Sequence, residues 1–202
     1  MTLEEKLIKV EAFYSQLDQD LLVYQNKSSL SCIAGCSNCC RSPNIEATIL
    51  EMLPLAFQVY KENKAEAFYD SLQENTSSLC ALYTPEKSAI LKGGCSSYPH
   101  RALICRLFGF SYSRDKIGNP SLISCKDIKE THAEAYKKTI EEIKNGDEVP
   151  MAANYQSQLT AIDPNLSQQL YPINKAIIQA LEIVMTHYYY TDALDNEVKN
   201  AS

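Results

Sequence analysis

At 202 residues and 45% hydrophobic content, the chain has enough apolar material for one sizeable core, and its composition argues against a disordered polypeptide. A formal net charge of -6 with no dense Lys/Arg run argues against a nucleic-acid partner, and no apolar run approaches the roughly 18 to 20 residues of a membrane span. The acidic, amphipathic opening MTLEEKLIKV lacks the basic start and apolar stretch of an export signal, so the expected location is the cytoplasm.

In chain order, the first element is a helix over residues 2–27. Leu3, Leu7, Val10, Tyr14, Leu17, Leu21 and Tyr24 recur at alternating steps of four and three, which places them on one helical face. Thr2 suits its N-cap, and Glu4 and Glu5 suit the positive end of the helix dipole. The stretch SCIAGCSNCCRSP then puts Cys32, Cys36, Cys39 and Cys40 within nine positions. A second helix is expected over 44–63, kinked or split at Pro54, and a short one over 64–78.

Residues 80–125 read differently. They hold Cys80, Cys95, Cys105 and Cys125 and four of the six glycines. In FGFSY, Phe108, Phe110 and Tyr112 alternate as on a strand, expected to begin near Cys105. SRDKIGNP would turn the chain back into SLISC, a hairpin that returns Cys125 towards Cys105. Beyond it, Ile128, His132, Ala135, Thr139 and Ile143 mark a helix that Gly146 stops. A last long helix starts near Pro172, its face formed by Ile173, Ala176, Ile177, Ala180, Leu181, Val184 and Tyr188. The expected fold is mainly α, a single domain over 1–202. A cysteine-rich irregular and β insert at about 30–126 carries a metal centre, between helical flanks at 2–27 and 127–190.

In a reducing compartment, clustered thiols point to metal or redox chemistry rather than disulfides. Short spacers, C-x3-C-x2-C-C, let one turning loop aim several sulfurs at one point, as zinc and iron–sulfur sites require. All eight cysteines are therefore candidate ligands: Cys32, Cys36, Cys39, Cys40, Cys80, Cys95, Cys105 and Cys125. Adjacent side chains usually diverge, so Cys39 and Cys40 would serve two centres, different metals of one cluster, or include one non-ligand. Thiolate sites carry buried negative charge that donors and cations must offset, and Arg101 and Arg106 stand beside the cysteines for that role, with Arg41 as a further neighbour. The spacing and the doubled pair favour an iron–sulfur cluster over zinc. His132, on an apolar helix stripe, reads as a core or surface residue, and His100 as a possible outer donor. No Ser/His/Asp set and no glycine-rich nucleotide turn stand out.

With these residues in view, the chain resembles the CxxCxxCC-type zinc- or iron-chelating cysteine-cluster family. The tight group ending in Cys39 and Cys40 carries the resemblance, with CSSYPHRALICR against the pattern C-x-x-Y-x-x-R-P-x-x-C-R. Cys95, Tyr98, Arg101, Cys105 and Arg106 fall in place there, and Ala102 replaces the expected proline. The resemblance covers roughly residues 30–126 and implies a metal or iron–sulfur centre without a settled reaction. The leading expectation is a cytoplasmic metal-binding protein acting in electron transfer, metal handling or structural support. Related clusters in flagellin lysine N-methylases imply a second reading, an N-methylase-like enzyme. A third is an interaction module stapled by metal, binding a protein partner through its helical faces.

Overall fold

Thr2 starts the first helix by a reciprocal cap: its hydroxyl accepts from the Glu5 amide (3.2 Å), and the Glu5 carboxylate accepts from the Thr2 amide (3.0 Å). The computed structural model describes residues 1–32, 36–85 and 93–200, with the backbone alone for 192–200. In it α1 spans Leu3–Ser28 and buries the expected stripe from Leu3 to Tyr24, each member at most 7% exposed.

After the first cysteine group come β1 (Glu46–Ala47) and α2 (Ile49–Lys61). Thr48 and Glu51 cap α2 as Thr2 and Glu5 cap α1. The expected split at Pro54 does not occur. Leu50, Met52, Leu53, Leu55 and Ala56 are at most 2% exposed, and burial on that scale outweighs the one hydrogen bond that proline removes. Next are α3 (Ala65–Glu74), β2 (Tyr83–Thr84) and β3 (Gly94–Cys95), the last two paired antiparallel with Tyr83 opposite Cys95.

The strand expected from Cys105 is instead a short helix, α4 (Leu103–Leu107), and the hairpin begins later with β4 (Ser111–Arg114) and β5 (Pro120–Ile123). Leu103 and Leu107, four apart, both face the core, a helical spacing that outweighs the alternation of the phenylalanines. Gly109 (φ +92) lets the chain turn between the two: a Cβ there would meet Ile128 Cδ1 at 2.9 Å. The single helix expected after Cys125 is two, α5 (Lys126–Thr131) and α6 (Ala133–Asn145), broken at His132 and stopped by Gly146 as foreseen. Two helices that periodicity did not reveal follow, α7 (Ala152–Ile162) and α8 (Pro164–Ser167). Then β6 (Tyr171–Pro172) pairs with β1 and leads into α9 (Ile173–Asn200).

The protein is mainly α, 62% helical with short strand pieces. Helix α9 lies along α2 and α3, and α1 packs on α2 and α7. These form the larger apolar cluster. A smaller one gathers Tyr24, Leu30, Leu122, Ile128, Ile143 and Val149, and Phe110 touches both. Among the described residues no helix is long and apolar enough to cross a membrane.

Candidate metal centre

The doubled cysteine pair sits in one 3-10 turn, Cys39–Arg41, closed by the Cys40 amide donating to the Ser37 carbonyl (3.0 Å). Two contacts tie this segment to the chain after Cys125. Asn38 Nδ2 donates to Asp127 Oδ2 (2.6 Å), and Ser31 Oγ shares a hydrogen bond with His132 Nε2 (3.1 Å). Exposed Arg41 donates to the Asn38 side-chain oxygen. Cys32 is exposed, and the other seven cysteines are partly buried; all eight are free thiols.

Cys80 and Cys95 are held by the β2–β3 turn and by α9. The Tyr83 amide donates to the Cys80 carbonyl (2.9 Å), and Ser96 donates to Leu82 (2.8 Å). Asn174 of α9 accepts from the Ala81 amide (2.8 Å) and donates to the Leu79 carbonyl (2.8 Å), fixing the chain on both sides of Cys80. Cys105 lies on α4, whose N-cap Ala102 has no side chain able to accept. Glu51 fills that role from α2: its Oε2 accepts from the Leu103 amide at 2.7 Å, while Oε1 takes the Thr48 amide (2.9 Å) and hydroxyl (3.0 Å). Glu51 is 2% exposed, and that burial pushes its carboxyl above the usual range.

These turns bring five thiols into mutual electrostatic reach. Burial pushes the Cys105 thiol up to about 12, helped by the nearby Cys80, Cys39 and Cys95. Burial also raises Cys80, with Cys95 adding to it, and raises Cys95. Cys39 moves the other way, chiefly because Cys40 hydrogen-bonds to it, and the Arg101 charge helps; Cys40 rises correspondingly. The expectation that the adjacent side chains point apart therefore fails. In a single 3-10 turn, the long C–S bonds let neighbouring sulfurs meet despite diverging Cβ directions.

Cys125 packs in the smaller apolar cluster, where its sulfur caps α5 by accepting from the Ile128 amide (3.4 Å). Among the described residues, no three His, Cys, Asp or Glu side chains are grouped tightly enough to enclose an ion. The five thiols form a neighbourhood rather than a closed coordination shell.

The two arginines differ. Arg101 acts on Cys39 and Cys95 through its charge, with its guanidinium 3.7 Å above the Tyr98 ring and 3.7 Å from Asp18. Its Nε is buried without a hydrogen-bond partner, a donor suited to a thiolate sulfur. Arg106, 4% exposed, donates instead to Asp18 of α1, the Pro99 carbonyl and the Arg101 carbonyl (3.1 Å for the last). It braces the loop between Cys95 and Cys105. His100 shares a hydrogen bond with Ser97 (3.1 Å), and burial holds its pKa below the usual value.

Three supporting residues were not read from the sequence. Glu51 was findable, because Thr48-x-x-Glu51 ahead of an apolar run is a capping-box signature. Asn174 and Asp18 carry no local signal; their roles exist only across elements far apart in sequence.

No curated protein and no solved structure matches the chain. The family described as "putative zinc- or iron-chelating domain" matches residues 31–139, more than half of the chain, from the Cys32 segment through Cys125 and into α6. With that span and the gathered thiols together, the chain belongs to the CxxCxxCC family of zinc- or iron-chelating domains.

Proposed function

We propose that the protein holds an iron–sulfur centre on its cysteines and serves electron transfer or metal handling in the cytoplasm. The observation that carries this reading is the convergence of Cys39, Cys40, Cys80, Cys95 and Cys105 beside Arg101, whose buried Nε lacks a partner. Five sulfurs in one neighbourhood exceed the four that a zinc ion takes, which favours a centre with more than one metal. Cys32, Cys36 and Cys125 complete the set at a neighbouring position, a placement supported by the Asn38–Asp127 contact between their segments.

Bound there, such a centre would supply one-electron exchange. The chain's own residues supply the rest. Arg101 offsets thiolate charge, and Arg106 and Glu51 fix the loop and helix that carry Cys95 and Cys105. The ligands' partial exposure suits exchange across the surface better than a staple sealed in the core. We further infer that residues 1–202 fold as one unit, since Phe110 joins both apolar clusters.

The test is metal and sulfide analysis with a visible spectrum on protein purified without oxygen. Brown protein carrying iron and sulfide is the expected result. Near-stoichiometric zinc in colourless protein would overturn the iron–sulfur assignment. Cysteines oxidised in pairs, with no metal, would overturn the ligand set.

A further inference from the structure

The matched domain starts after α1, yet α1 sends two side chains towards the thiols. Asp18 grips Arg106. Tyr14, one turn earlier, is 5% exposed, and its ring lies 4.1 Å under the Arg106 guanidinium. Its hydroxyl is buried without a hydrogen-bond partner. A hydroxyl left so costs about 1–3 kcal/mol, so its surroundings have to be searched for what it is there to meet.

Four ionisable groups act on that hydroxyl: Glu51, Arg106, Cys105 and Asp18. Arg106 offers only donors. Asp18 is engaged by Arg106 and Arg101, and Glu51 already accepts from three donors at the α2 and α4 starts. Cys105 is left. As a thiol it is a weak acceptor; as a metal-bound thiolate it is charged and a strong one.

We propose that the Tyr14 hydroxyl donates a hydrogen bond to the Cys105 sulfur when that sulfur ligates metal, making α1 part of the centre's support. This rests on the proposed ligand role of Cys105. A phenol keeps its proton at neutral pH and so remains a donor there. The bond stabilises the electron-rich sulfur, which holds the metal more tightly and favours the reduced state of an iron centre.

Tyr14→Phe tests this in the full, metal-loaded chain, since it removes one oxygen and keeps the ring under Arg106. The probe is the iron of the purified protein, or its zinc if that is the metal found, followed as it passes to a competing chelator. We expect about tenfold faster metal loss. The sulfur-to-metal absorption should shift and an iron centre's reduction potential should become more negative, with an unchanged far-ultraviolet circular dichroism spectrum. Tyr24→Phe is the control: it removes a hydroxyl paired with Thr139 (3.3 Å) in the other cluster and should leave all three readings at wild type. Unchanged metal loss and absorption in Tyr14→Phe would overturn the role of Tyr14 alone. A wild-type chain that takes up no metal would overturn the centre and this role together.

Discussion

Cys39 and Cys40 are neighbours in sequence but differ in chemistry. The Cys40 hydrogen bond and the Arg101 charge favour the Cys39 thiolate, while Cys40 keeps its proton longer. Metal ligands must be deprotonated, so Cys39 is the readier ligand of the two. Metal content measured on the two variants should therefore be unequal, with Cys39→Ser losing the larger share. Equal loss would contradict the distinction. The sequence made the doubled pair conspicuous, but divergence of adjacent side chains was the wrong guide to it, because sulfur contact depends on the turn's geometry. Arg101 and Arg106 likewise look equivalent beside their cysteines. Only the fold separates Arg101, with a donor unspent near the thiols, from Arg106, committed to Asp18 and two carbonyls.

Among the elements, α4 is the least self-sufficient: five residues with no cap of their own, held by a carboxylate from α2. Burial raises the Glu51 pKa above its ordinary 4.5. For a group raised on folding, the contribution to stability is fully present below the unfolded value and is lost as pH rises through the folded value. Thermal melts across that window should show wild type losing stability relative to Glu51→Gln as pH rises, because glutamine cannot ionise. Parallel pH profiles would contradict the placement of Glu51. Elements with a strong 3.6-residue period, α1, α6 and α9, were legible in advance. α7 was not: of AANYQSQLTAI only Leu159 is buried, too little to form a stripe. α4 was read as strand because Phe108 and Phe110 alternate, whereas the residues that decide its packing are Leu103 and Leu107.

Across the whole molecule, α1 links parts that are distant in sequence. Lys6 pairs with Asp163 (2.7 Å), Tyr24 reaches Thr139, and Asp18 reaches Arg106 and Arg101. The cysteines were legible as ligand types from spacing alone. Which of them meet was not, because Cys39, Cys80, Cys95 and Cys105 are brought together by a 3-10 turn, a strand pair and a capped helix anchored on α2 and α9. That convergence is the central claim, and alkylation of the native, metal-loaded chain read by mass spectrometry tests it most directly. Cys39, Cys80 and Cys95 should be protected together and become reactive together when a chelator removes the metal. If a chain that carries metal shows these three modified at the same rates before and after its removal, the thiols do not share a centre.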